Sequence, residues 1–351
     1  MGLRASAPGK TILMGEHAAV YQRPALVAAV DRRLSATFED SSTGVVLDLP
    51  QVQVREETTW DSLAAYARDV EARWRAYEKT PTPENFQRLR GDHPAHLVKI
   101  ALGEAVRFTG ETPPPVHLHL DSQIPIGAGF GSSAAAAVAL VGGFLAWRGV
   151  HVTPDELHRL TLEVERRQHG TPSGIDNATV IHGGLVWAWR DPHSRLQIAP
   201  LVSESPLLQQ VQIFNTGEPA ETTGDVVASV RRRIEGEAEI YEQLLDRMES
   251  ATIRLRDLLT QNSDDLPRAI DLFREFEGCL EQLGVVPEPV RQIVRRVEAR
   301  GGAAKISGAG ALTGQGAGSL LVLPGEGEEV DLTRELMPMD VQLGADGLQI
   351  Q

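Results

Sequence analysis

Residues 125–133, Pro125-Ile126-Gly127-Ala128-Gly129-Phe130-Gly131-Ser132-Ser133, run directly into the alanine-rich apolar stretch 134–147. Three glycines within five positions permit positive φ and let backbone approach a bulky anion with no Cβ in the way. The unbonded N–H groups of the first helical turn, with the helix dipole behind them, then favour a phosphate-sized negative charge. Ser132 and Ser133 are placed to cap the helix, to donate to anion oxygens, or to ligate a divalent cation. No Lys follows the last glycine, so this is not a Walker loop, and Gly-x-Gly-x-Gly departs from the dinucleotide fingerprint.

Outward from this loop the pattern is mixed. Before it, Val116-His117-Leu118-His119-Leu120 alternates as a strand, with both histidines opposite the apolar face. Helical spacing covers 60–77 and 96–108, and residues 11–14, 25–30, 34–38 and 45–49 read as strands. After the loop, Thr153-Pro154-Asp155-Glu156 has the N-cap, first-position proline and capping-box glutamate of a helix running to about 168. Residues 179–189 look like a hairpin turning at Gly183-Gly184. Helices are expected over 225–261, 267–283 and 287–299, with strands at 304–306, 319–323 and 340–343. Strands early, helices later and strands again at the end give an α+β protein, not a regular βαβ wrap. A lobe boundary is expected near 195, giving 1–195 and 196–351.

Composition narrows the function classes. The chain has 351 residues, enough for two lobes at about 150 residues per domain. Its 34 Lys and Arg against 48 Asp and Glu give −14, which disfavours nucleic acid or an anionic membrane as partner. Cys279 is the only cysteine, so no intramolecular disulfide or cysteine metal cluster forms. No run of about 18 apolar residues occurs and no secretory pattern opens the chain, so a cytoplasmic location is expected.

Three further segments carry chemistry. In 7–21, Lys10 precedes an apolar strand, and Glu16-His17 follow Gly15 at its end. In 165–177, Glu165 lies in the last turns of a helix, and Asp176 follows 11 residues later in a Gly-Thr-Pro-Ser-Gly loop, with His169 between them. Two carboxylates facing one site are able to divide the work, one holding a metal and the other taking a proton. In 305–323, five glycines between two apolar strands form a second close-approach loop.

Together, in this order, the four segments resemble the GHMP kinase superfamily. Gly15-Glu16-His17-Ala18-Ala19-Val20-Tyr21 and His169-Gly170-Thr171-Pro172-Ser173-Gly174-Ile175-Asp176-Asn177 are most similar to the mevalonate kinase branch, and Asn215-Thr216 with Thr222-Thr223 resembles a family segment near the acceptor. The resemblance implies a two-lobed α+β fold, an N-terminal lobe of mixed sheet and helices and a C-terminal α+β lobe, with ATP and the acceptor bound between them. It implies phosphoryl transfer from ATP to the 5-hydroxyl of (R)-mevalonate, with Asp176 as base and Lys10 keeping it ionised. Pro125, Gly127, Ala128, Gly129, Gly131, Ser132, Ser133 and Ala134 would bind the nucleotide, and Ser133 and Glu165 would hold Mg²⁺. Glu16, His17, Thr223, Gly308 and Ala309 would line the acceptor. It further implies a homodimer; the charge balance and the lack of a long apolar run leave neither nucleic acid nor membrane as an expected partner.

Two departures keep alternatives open. The last glycine motif, Gly308 to Gly318, carries several extra residues, with Ser319 near the usual cysteine. Asp31-Arg32 resembles phosphomevalonate kinases, and a basic cluster of Arg32, Arg33, Arg166 and Arg167 at the acceptor would favour a phosphorylated substrate. From another class, a non-catalytic nucleotide-binding regulator would be expected to have lost one of Lys10, Ser133, Glu165 or Asp176.

Overall fold

Alternating and continuous apolar residues near the N-terminus build a long antiparallel pair, β1 (Leu3–Met14) against β2 (Ala25–Asp40). The computed structural model describes residues 2–125, 129–325, 332 and 336–351. The register of the pair shifts between Pro8 and Gly9 and again between Ile12 and Met14. Such bulges bend a strand and re-aim its side chains. Lys10 and Thr11 lie between the two shifts.

β3 (Val45–Leu49) and β4 (Val54–Thr58) form a hairpin, followed by helices α1 (Trp60–Lys79), α2 (Pro83–Arg90) and α3 (His96–Thr109). β5 (Val116–Ser122) then inserts between β2 and β3, antiparallel to the first and parallel to the second. α4 (Ser132–Trp147) is buried all round from Ala134 to Leu145 and packs on β1 and β2, with α3 and α5 (Pro154–His169) beside it. A Cβ at Gly143 would lie 2.7 Å from both Ala5 Cβ and the Phe38 ring, so glycine sets how closely the helix meets the sheet. The Thr153 cap and capping box form as expected.

α6 (Ile175–His182), β6 (Leu185–Arg190) and β7 (Leu196–Leu201) follow. The expected hairpin over 179–189 is corrected: its first arm is the last half of α6, and Gly183-Gly184 link that helix to β6. The β6–β7 hairpin joins the first sheet through β2, and position 195 falls in its turn. After the short α7 (Leu207–Gln210) come β8 (Gln212–Asn215), α8 (Thr223–Gly236), α9 (Ala238–Thr260), α10 (Leu266–Leu283) and α11 (Glu288–Glu298). The single helix expected over 225–261 is two, divided at Glu237.

The chain ends with β9 (Ala303–Ser307), β10 (Ser319–Leu323), β11 (Met337–Met339) and β12 (Gln349–Ile350). A strand at 340–343 is replaced by β11 just before it. The first sheet is ordered β12-β1-β2-β5-β3-β4 with β6 and β7 attached to β2, and the second β11-β8-β10-β9. α10 and α11 cover β9. The two sheets meet where Ser307, at the end of β9, enters β1: its hydroxyl donates to the Ile12 carbonyl at 3.0 Å and accepts from the Ile12 amide at 3.1 Å.

Candidate active site

Lys10, Asp176, Glu165 and Ser133 come from four elements and meet at that junction. The Lys10 amide donates to the Phe130 carbonyl at 3.0 Å, tying β1 to the glycine loop. The Lys10 side chain is buried, and its ammonium lies 3.2 Å from Asp176 Oδ2. Asp176 sits in the first turn of α6, behind Gly174, whose φ of 83° starts the helix. The dipole at a helix N-terminus favours negative charge there. Gly131 is required twice over: its φ is 67°, and a Cβ on it would lie 2.8 Å from Lys10 Cγ.

Ser133 lies in the first turn of α4. Its hydroxyl donates to Glu165 Oε1 at 2.5 Å and lies 3.1 Å from His169 Nε2, which in its Nε2–H tautomer donates to Ser133. Glu165 is 5% exposed. Burial pushes its carboxyl up to about 7, the Asp176 charge adds to the rise, and the Ser133 hydrogen bond and Lys10 oppose it. Among the described residues no group of three His, Cys, Asp or Glu side chains could hold a metal alone. A hydroxyl and a buried carboxylate do suit a hard divalent cation that takes its other ligands from phosphate and water.

Of the other expected nucleotide residues, Pro125 is half-buried, Gly129 has φ 80° and lies near the Ser307 carbonyl, Ser132 begins α4, and Ala134 is buried in it. Gly127 and Ala128 lie outside the described residues. The turn after α5 is held from α1: Trp74 Nε1 donates to the Gly170 carbonyl at 3.3 Å, and a Cβ on Gly170 would strike the Tyr77 ring.

On the other side, Glu16 and His17 follow β1. His17 has φ 58°, unusual outside glycine, and its buried Nε2–H donates to the Ala309 carbonyl at 2.9 Å. Burial lowers its basicity, so the ring stays neutral. Gly308, with φ 102°, and Ala309 leave β9 beside it. Thr223 is exposed at the start of α8, and no hydrogen bond among the described residues joins it to Lys10 or Asp176. Its segment reaches the extended glycine loop through Glu221, which accepts from the Leu312 amide at 3.0 Å and the Thr313 hydroxyl at 2.6 Å.

Two groups escaped the sequence reasoning. Lys305, fully buried on β9, donates to Glu16 Oε1 at 2.6 Å, and Glu277 on α10 is buried next to it. A charged residue in an apolar strand was the one available signal. The four arginines whose clustering at the acceptor would have favoured a phosphorylated substrate each have a protein partner. Arg32 pairs with Asp340, Arg33 donates to the Asp346 and Gly347 carbonyls, Arg166 pairs with Glu163, and Arg167 lies between Glu163 and Glu104.

Comparison with known proteins shows the family and the fold. Residues 96–184 match the GHMP kinases N-terminal domain. A mevalonate kinase of Pyrococcus abyssi is 29% identical across 99% of this chain and 97% of its own length. One from Mus musculus is 30% identical across 92% and 87%. A crystal structure of mevalonate kinase superposes with a TM-score of 0.77 at 17% identity, covering 97% of this chain and 98% of the other. The chain therefore belongs to the mevalonate kinase family of the GHMP kinases.

Proposed function

We propose that this protein transfers the γ-phosphoryl group of ATP to the 5-hydroxyl of (R)-mevalonate. The observation that carries the proposal is the Lys10–Asp176 contact of 3.2 Å, set beside the glycine loop and the Ser133–Glu165 pair. Phosphoryl transfer demands positioning and charge neutralisation more than covalent chemistry from the protein.

Asp176 takes the proton of the acceptor hydroxyl as its oxygen bonds to the γ-phosphorus and the bond to the β-phosphate oxygen breaks, releasing ADP. The Lys10 ammonium favours the developing alkoxide and the transferring group. The glycine loop and the first turn of α4 offer amides to the phosphates. Ser133 and Glu165 would hold Mg²⁺, which when bound supplies neutralisation of phosphate charge. Glu16, His17, Thr223, Gly308 and Ala309 form the acceptor side, between an N-terminal lobe that runs on through the β6–β7 hairpin and the C-terminal lobe after it. Family resemblance extends this to a homodimer, and the sequence pattern to a cytoplasmic location; among the described residues no helix is long and apolar enough to cross a membrane.

An unphosphorylated acceptor is favoured over 5-phosphomevalonate because Arg32, Arg33, Arg166 and Arg167 all have protein partners. The test is ADP formation with ATP, Mg²⁺ and each of mevalonate, 5-phosphomevalonate, galactose and homoserine. Mevalonate is expected to give the highest kcat/KM, and a preference for 5-phosphomevalonate would replace the proposal.

A further inference from the structure

Beneath the acceptor side lies a buried ionic group centred on Lys305, a residue with no part in the chemistry above. Lys305 has no exposed surface. Its ammonium donates to Glu16 Oε1 at 2.6 Å and to the Ile306 carbonyl at 2.7 Å, and stands 5.4 Å from the centre of the Phe276 ring. The charged groups facing it come from three elements: Glu16 after β1, Lys10 on β1 acting through Glu16, and Glu277 on α10, with Glu281 one turn further along that helix. Glu277 Oε2 accepts from the Ile306 amide at 3.0 Å. Glu16 Oε2 is buried and has no hydrogen-bond partner. A carboxylate removed from water and bonded through one oxygen keeps its place and its charge only if a cation is fixed against it.

We propose, resting on the functional assignment above, that Lys305 is a positioning residue: clamped by β9 and α10, it fixes Glu16 between itself and Lys10 and so holds the acceptor end of the cleft in its working arrangement. His17, the next residue, is tied to Ala309 just beyond β9, so one strand anchors both members of the Glu16-His17 pair. Without the Lys305 charge, the Glu16 carboxyl would take up a proton or move, and Lys10 would lose a neighbouring anion. Among the described residues Lys305 bonds to Glu16 and to the Ile306 carbonyl, while Ser133 and Glu165 sit on α4 and α5, so the effect should fall on acceptor parameters.

The test is a double-mutant cycle of Lys305→Met and Glu16→Gln, read as KM and kcat for acceptor and for ATP, with Tm measured alongside. Each single variant should lower kcat/KM for mevalonate by roughly tenfold or more, and the double variant should be no worse than the poorer single. KM for ATP should stay within about twofold in all three. The double variant leaves no unpaired buried charge, so it reports even if Lys305→Met alone folds poorly. Losses that multiply in the double variant would overturn the proposal, as would a loss of Tm with unchanged acceptor kinetics, or a defect in KM for ATP instead. The wild-type arm separates the two questions: wild type inert towards mevalonate overturns the assigned reaction, and the cycle is then run on whichever acceptor of the panel is turned over.

Discussion

Replacing Glu277 by Gln should make the protein more stable at alkaline pH while changing little at acid pH. Glu277 is fully buried on α10, and desolvation raises its carboxyl from 4.5 to about 8, against the opposing pull of the Ile306 amide and Lys305. The folded state thus binds this proton more tightly than the unfolded chain. The corresponding stability is complete below 4.5 and is lost as pH rises through about 8. At about 1.4 kcal/mol per pH unit, the wild type loses roughly 3 kcal/mol from this group between pH 5.5 and 8. The glutamine side chain of the variant keeps an oxygen for the Ile306 amide, has the same shape as glutamate, and cannot ionise. Thermal melts of wild type and E277Q from about pH 4 to 8.5 should start together and diverge above about pH 4.5, with the variant several degrees higher at the alkaline end. Parallel curves, or a variant less stable at every pH, would mean that Glu277 is ionised and paired with Lys305, refuting the assignment of charge in this buried group.

Other expectations follow from the same geometry. Asp176→Asn should cut turnover by about two to four orders of magnitude while ATP still binds, since it removes the proton acceptor and leaves the glycine loop intact; near-normal ADP release would remove Asp176 as base. Glu165→Gln should raise the Mg²⁺ concentration needed for half-maximal rate by at least the roughly tenfold that loss of even an outer-shell partner costs, and an unchanged Mg²⁺ titration would count against it as a ligand. Gly131→Ala should cost about 1–2 kcal/mol for its left-handed backbone and displace the Lys10 side chain as well. Its activity should therefore fall further than its Tm would suggest. Glu221→Ala should increase hydrogen exchange across 309–317, where Glu221 now holds Leu312 and Thr313; unchanged exchange would show that the extended loop does not depend on it.

Much of the local structure around the glycine loop was legible because its signals are local. Glycines at 129 and 131 have the positive φ that the loop demands, Thr153 and Glu156 form the expected capping box, and Lys10 and Asp176 come from motifs whose spacing is fixed by one strand and one helix. Where packing decided the outcome, the sequence misled. Residues 179–181, Thr-Val-Ile, are all β-branched and suggest a strand, yet Gly174 starts a helix before them and burial against α4 and β1 keeps it. The break at Glu237 carries only the weak mark of Gly236. Lys305 was hidden because its role depends on Glu16, 289 residues away along the chain. No periodicity encodes such a pairing. The extended loop 308–318 was visible as an anomaly, but its anchoring to Glu221 and Thr216 emerges only once β8 and β10 are paired.

The most direct measurement of the central claim is ³¹P NMR of the protein with ATP, Mg²⁺ and (R)-mevalonate, followed to completion. Loss of the γ-phosphate signal, appearance of ADP and an equal amount of one phosphomonoester on the 5-oxygen are expected, all three slowed by about two to four orders of magnitude in an Asp176→Asn sample at matched concentration. Inorganic phosphate in place of the monoester, or the same product formed at an undiminished rate by Asp176→Asn, would contradict that claim.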